Sequence, residues 1–285
     1  MAKSTLALAI AFLVAACGAV GPSQGSLPQP SPPTESLAKW KDFPANARPR
    51  PIISLGDTTE QIQATGFPSD DRKMAWICHK FVLAPGLYVP ATAPARAVAQ
   101  GASYPAISAT RAWSELMAQP PGGNSADCAA AHNFLVTAVR WDAAAFPTDR
   151  GTMQMSAWLF DIPEVNGYIG HSAIDSSAYW GGAVTKSVGR GYRISADGRT
   201  VSIAVANAEP GPCGSDYAAS AAESASAVAI AVKQIPHARP SGAYACLDVL
   251  RLSNITVTLK APLGGRVLVD EKGKVGSVCP ETGDC

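Results

Sequence analysis

Apolar residues recur at every second position in three stretches of the C-terminal third: Val201, Ile203 and Val205; Val228, Ile230 and Val232; Ile255, Val257 and Leu259. Successive side chains of a strand point to opposite faces, so each stretch reads as a strand with one buried face. Tyr192–Ser195 and Thr200–Val205 flank Asp197-Gly198, a pair that supplies the positive φ of a tight hairpin turn. A further strand, with Val267 and Val269, follows the turn Pro262-Leu263-Gly264-Gly265. Five strands at this spacing predict an antiparallel sandwich-like or open-barrel half over 187–285.

The preceding half, 52–186, reads as mixed α+β. Ser108–Ala118 has helical character, with Ser108 as cap and Pro120-Pro121-Gly122-Gly123 as stop. Ala126–Ala131 offers another helical turn, while Phe134–Trp141 and Gln154–Phe160 are strand-like. Ala75–Leu83 is rich in β-forming residues, and the polar stretch Gly214–Ala227 reads as a loop. The fold class is therefore mainly β with few short helices.

The first 51 residues differ in kind. Lys3 precedes an apolar run from Leu6 to Ala16, about 11 residues. That is the size of a signal-peptide core and short of the roughly 20 residues a membrane-spanning helix needs. The run closes on Val14-Ala15-Ala16-Cys17, which resembles the lipobox of bacterial lipoproteins, where cleavage precedes a cysteine that carries a diacylglyceryl group. Residues 1–16 are then a signal peptide and Cys17 the lipidation site. Residues 17–51 carry eight prolines among Ser, Gly and Gln, a composition that predicts a disordered tether, with Trp40 and Phe43 as candidates to dock on the body.

The chain has 285 residues, of which about 230 follow the tether, enough for one large core or two small ones. Net charge is +1 and only 16% of residues are charged. No basic stripe points to nucleic acid. Of seven cysteines, six remain after Cys17: Cys78, Cys128, Cys213, Cys246, Cys279 and Cys285. An even count in an exported chain reads as disulfides. Six cysteines allow 15 pairings; chain order and the division into halves favour Cys78–Cys128, Cys213–Cys246 and Cys279–Cys285.

Two stretches carry a second resemblance. Phe146-Pro147-Thr148-Asp149-Arg150-Gly151 is followed by Ala157-Trp158-Leu159-Phe160. The second stretch runs from the Asp197-Gly198 hairpin through Cys213, Glu223 and Cys246 to Val257–Asp270, with its Pro-Leu-Gly-Gly-Arg turn. Together, over about 134–270, they resemble a family of secreted and lipid-anchored actinobacterial proteins without an assigned activity. Ser156 stands where that pattern more often has Pro. The resemblance implies export, a β module and a Cys213–Cys246 bridge, and no catalytic residues. Glu223 and Arg266 both lie in it, on elements expected to meet as a partly buried ion pair.

Candidate chemistry is sparse. Gly170-His171-Ser172-Ala173-Ile174 approaches a nucleophile elbow but lacks its second glycine. Ser36-Leu37-Ala38-Lys39 matches S-x-x-K within the tether, without a K-T-G partner. Cys78, His79, Cys128 and His132 could assemble a zinc site, against the oxidising compartment. Asp70-Asp71 reads as a solvated turn and Asn254-Ile255-Thr256 as strand surface. Tyr179 and Trp180, beside Gly181-Gly182, are candidate ligand contacts of the ring-stacking kind. No catalytic residue, metal or cofactor is assigned. The leading reading is a non-enzymatic envelope lipoprotein that binds a partner protein or small ligand outside the membrane. A hydrolase of wall polymer or esters is the alternative, and a purely structural envelope component the third option.

Overall fold

A computed structural model describes residues 27–122, 125–181, 191–208, 210–238, 241, 245–246 and 251–280. The lipobox, the 186/187 boundary and Cys285 lie outside the described residues. The N-terminal half carries β1 (Thr59–Ile62), α1 (Asp70–Ile77), β2 (Phe81–Leu83), β3 (Ala97–Ala99), β4 (Ala102–Tyr104), α2 (Ala109–Met117), α3 (Ser125–Ala130), β5 (Phe134–Val136), β6 (Ala138–Thr148), β7 (Gly151–Ile162) and β8 (Gly167–Ser172). The C-terminal half carries β9 (Tyr192–Ile194), β10 (Thr200–Ala206), β11 (Ser215–Glu223), β12 (Ala227–Pro236), β13 (Leu252–Thr258), β14 (Val267–Asp270) and β15 (Val278–Pro280). The chain is mainly β, as expected, and its sheets are open.

In the first half the order is β1-β8-β7-β3-β4, and the long β6 pairs along the whole of β7. β7 separates two cores. Trp158, Phe160 and Ile162 face α1, α2 and the β2/β5 pair, against Trp76, Leu116 and Phe134. Met155, Ala157 and Leu159 face Ala97, Phe146 and Ile174. Ser108 caps α2 as expected, accepting from the Arg111 N–H. Ala75–Leu83 is not one strand. Ser69 caps α1, Asp70 and Asp71 occupy its first turn, and the helix runs to Ile77 before β2 begins. An N-cap with two acids on the positive helix end outweighs local β propensity. Asp70-Asp71 is therefore a helix start rather than a loose turn.

In the second half β13-β10-β9-β15 packs on β11-β12-β14. Between them lie Tyr192, Val201, Ile203, Val228, Ile230, Val257 and Leu268. The β9–β10 hairpin turns at Gly198, φ 73°. The arrangement is sandwich-like but not wholly antiparallel: β12 pairs with β14, and β9 with β15, in parallel. Nor is 214–227 a loop, because Ser215–Glu223 forms β11 along β12. Its alanines and serines are weak strand formers, and nine cross-strand positions override them.

The expected tether ends early. Thr34–Trp40 forms a 3-10 helix, and Ser36, Trp40, Phe43 and Ala45 are buried. Trp40, Phe43, Ile53 and Leu55 cover Ala227, Ala229, Val267 and Val269, the outer face of β12 and β14. The reason is local: aromatic Trp40 and Phe43 remove enough apolar surface from water to offset the ordering of a proline-rich segment. This strap is pinned by three hydrogen bonds to the turn after β14. Ser36 Oγ donates to the Glu271 carbonyl (2.5 Å), Lys39 Nζ to Lys272 (3.4 Å) and Trp40 Nε1 to Gly273 (3.4 Å). The S-x-x-K residues thus hold the strap. β14 and the first half of β12, Ala227–Ala231, are buried on both faces, and the alanines between the larger residues of β12 leave room for the strap.

Gly265 marks the closest approach, where an added Cβ would lie 1.9 Å from the Ala45 carbonyl oxygen. Gly265→Ala is expected to destabilise the protein by about 1–3 kcal/mol through overpacking. For a body of this size that lowers Tm by about 2–4 °C per kcal/mol. Thermal unfolding of the variant checks it, and an unchanged Tm would mean that the strap does not pack there.

Candidate functional site

The two resembling motifs meet in space. The β6–β7 turn, Thr148-Asp149-Arg150-Gly151, faces the Gly264-Gly265-Arg266 turn before β14. Arg150 Nη2 donates to the carbonyls of Gly264 (2.8 Å) and Arg266 (2.7 Å). Arg50, from the strap, donates through Nε to Gly265 (2.7 Å). Its Nη1 and Nη2 grip the Asp149 carboxylate at 3.2 and 2.6 Å. Arg150 Nε stands 3.6 Å from the same carboxylate. The Asp149 side chain is only 2% exposed, against 16% for Arg50 and 22% for Arg150. Backbone bonds close the joint: Asp149 N–H to Ile53, and Val278 N–H to Asp149. Next along, Arg266 meets Glu223 at 2.8 Å, the expected pair. Burial pushes the Glu223 carboxyl up, but the Lys260 N–H and the Arg266 guanidinium outweigh it and hold the pKa below its ordinary value.

A cleft of about 230 Å³ opens over this joint, lined by Arg48, Arg50, Arg150, Tyr104, Gln100 and Met153 among others. Tyr104 donates to the Arg50 carbonyl (3.0 Å) and fixes that wall. Burial lowers the Arg150 pKa to about 10, with Asp149 opposing and Arg50 adding to the fall. Arg150 thus stays charged at neutral pH. Two other hollows are less telling. One of about 360 Å³ holds Arg140, Asp161 and Tyr168, where Arg140 is already paired with Asp161 and Asp142 and lies over the Tyr168 ring. The other, about 520 Å³, is rimmed by Asp216, Tyr217 and His237, and His237 is already held by Asp216 and the Gly211 carbonyl.

Two of the three expected disulfides are present. Cys78–Cys128 and Cys213–Cys246 are disulfides, with Cα atoms 5.3 and 5.6 Å apart. The zinc set is therefore broken. His132 stands exposed beside Asp71 (3.5 Å), and His79 meets Gln61 (3.4 Å). Cys279 is buried in β15, and its expected partner Cys285 lies outside the described residues. Cys17 lies outside them too. Asn254 is on the exposed surface of β13, as expected.

Tyr179 and Trp180, the candidate stacking contacts, are half-buried. The Tyr179 hydroxyl meets Ser172 Oγ at 2.7 Å, and burial pushes its pKa up to about 12. Trp180 packs edge-on against Phe43, ring centroids 5.2 Å apart. Both rings pack at the seam where Ile52 crosses, and the Trp180 backbone N–H donates to the Ile52 carbonyl (2.8 Å). Ser172 is buried, and the chain after it stays extended into Ile174 rather than turning into an α-helix. His171 Nδ1 donates to the Ser172 carbonyl (2.8 Å) and not to its hydroxyl, while burial lowers the imidazole pKa. No nucleophile–base pair forms here.

Sequence reasoning missed the arginines of the cleft. Arg48-Pro49-Arg50-Pro51 was hidden in tether-like composition, although the apolar run Ile52-Ile53 directly after it signals an ordered edge. Comparison with family models, curated proteins and solved structures finds no match to this chain.

Two predictions follow from these geometries. Asp149→Asn leaves two guanidinium groups facing each other and is expected to cost about 3–5 kcal/mol. Asp142→Asn, at the exposed Arg140, should cost below about 1 kcal/mol. Denaturant unfolding separates the two, and equal effects would contradict the joint. The second concerns His237, held by the Gly211 carbonyl at 2.7 Å and the Asp216 carboxylate at 3.1 Å, which raise its pKa above 6.5. A raised basic group stabilises fully below its unfolded value and loses that contribution as pH rises through the folded value. His237→Gln should therefore lower Tm at about pH 5.5 and leave it nearly unchanged at about pH 8.5. A larger drop at the higher pH would reverse the assignment.

Proposed function

We propose that this chain is a lipoprotein of the bacterial cell envelope, anchored through Cys17 on the extracytoplasmic face of the membrane. Its folded body is a non-enzymatic binding module, and its ligand or partner sits in the arginine cleft. The observation that carries this reading is the contrast between the two polar centres of the body. Ser172 and His171 are buried, and although Glu115 stands 3.6 Å from His171 Nε2, His171 Nδ1 bonds the Ser172 carbonyl while the Ser172 hydroxyl meets Tyr179, so the imidazole does not reach the serine hydroxyl. The arginine cleft is open and charged.

The location rests on the lipobox resemblance and is supported by the two disulfides, which persist in oxidising compartments. Among the described residues no helix is long and apolar enough to cross a membrane. A diacylglyceryl cysteine with a further acyl chain holds a protein stably, since each buried methylene contributes about 0.8 kcal/mol.

Cys17→Ser is expected to move the protein from the membrane fraction to the medium and to abolish metabolic labelling by palmitate. Labelling that persists in the variant would overturn the anchor.

A further inference from the structure

The geometry points to a ligand class for the arginine cleft: a dianionic oxyanion, of which the phosphate monoester is the type. This deepens the binding-module reading and rests on it. Three guanidinium groups line the cleft, and among the described residues Asp149 is the one carboxylate within ion-pair distance of any of them. Three positive charges against one negative leave the cleft with an excess of two. A phosphate monoester at neutral pH carries up to two negative charges and three acceptor oxygens.

The donors are present as well as the charge. A guanidinium has five N–H donors. Arg150 gives two of them, both from Nη2, to Gly264 and Arg266. Its Nε stands 3.6 Å from the Asp149 carboxylate, and the two donors of Nη1 have no hydrogen-bond acceptor among the described residues. They are not sealed off, because among the described residues the sole buried side-chain nitrogen or oxygen without a partner is His79 Nδ1. Arg48 is exposed and spends one donor on the neighbouring Ala47 carbonyl. Gln100 adds an exposed amide at the rim. Arginine forks match oxyanion geometry bidentately, which a carboxamide or hydroxyl cleft does not.

Size narrows the class. At about 230 Å³ the cleft is smaller than the roughly 300–1,000 Å³ of pockets that enclose a drug-sized ligand. It takes a head group and a short attachment, with the remainder of a larger molecule outside.

The rigid side of the cleft is also explained. Arg50 is fixed by Asp149, Gly265 and the face of Phe43, whose ring centroid lies 4.6 Å from the guanidinium carbon. Its role is to position and to supply charge. Arg48, free of such ties, is the group that closes on the anion.

Isothermal titration of the full lipidated chain, reconstituted in phosphatidylcholine nanodiscs, tests this with inorganic phosphate as the probe. Saturable binding is expected, about tenfold weaker in Arg48→Gln at unchanged Tm. Lys73→Gln, on exposed α1, should leave the affinity as it was. Nanodiscs containing phosphatidic acid separate the sources. If they abolish the phosphate titration, a lipid head group reaches the cleft; if the titration persists, the ligand is a soluble phosphate monoester. Either result upholds the oxyanion. Failure of phosphate to saturate, or binding indifferent to Arg48→Gln, overturns it. A chain that does not enter nanodiscs speaks against the anchor instead, and the same titration of the soluble chain still decides the cleft.

Discussion

Burying the Asp149 carboxylate is unfavourable unless cations and donors meet it, and that requirement sets how the strap and the two halves sit. Arg50 comes from the strap, Asp149 and Arg150 from the β6–β7 turn, and the accepting carbonyls from the Gly264–Arg266 turn. The joint also places Arg266, whose remaining contacts hold Glu223 at the end of β11. Polar contacts thus run without a break from the strap across the first half and into the C-terminal sandwich.

The strap gives the C-terminal half three layers rather than two. One face of β12 and β14 meets the β13-β10-β9-β15 sheet, and the other meets Trp40 and Phe43. A strand buried on both faces loses the alternation that marks a half-exposed one. β12 obeys this: Ala227, Val228, Ala229 and Ile230 are all fully buried. Parallel pairing with β14 is the pairing this environment favours.

This explains what could be read beforehand. The β9–β10 hairpin was legible because Gly198 and the Val201–Val205 alternation agree locally. The α2 cap was legible at Ser108 for the same reason. The Cys213–Cys246 bridge was legible from chain order and the division into halves, with a resemblance to other chains agreeing, and the Glu223–Arg266 pair from that resemblance. What stayed hidden depends on distant partners. Proline-rich composition between 28 and 51 looks unfoldable until the surface that receives Trp40 and Phe43 is known. β11 is alanine and serine for most of its length and becomes a strand only by pairing with β12. The cleft is the extreme case. Its arginines lie about a hundred positions apart, 48 and 50 against 150, and each looks unremarkable alone. Tyr179 and Trp180 pack at a seam that sequence does not announce, because a pair of aromatics beside glycines looks the same whether the rings meet a sugar or the seam between two cores.

The same arithmetic that builds the joint leaves it incomplete. One carboxylate satisfies Arg50, and Arg150 must share it at 3.6 Å while burial and Arg50 both oppose its charge. A chain that needed only a structural clamp could have placed an uncharged donor there, since the bonds to Gly264 and Arg266 require N–H groups and not a cation. A guanidinium held charged at the edge of an open cleft is a cost to the empty protein that an anion removes. Such a ligand binds the folded state alone and stabilises it in proportion to the logarithm of its concentration. The anion-binding cleft and the joint between the halves are then one device: the ligand completes the charge balance on which the relative placement of strap, first half and sandwich rests.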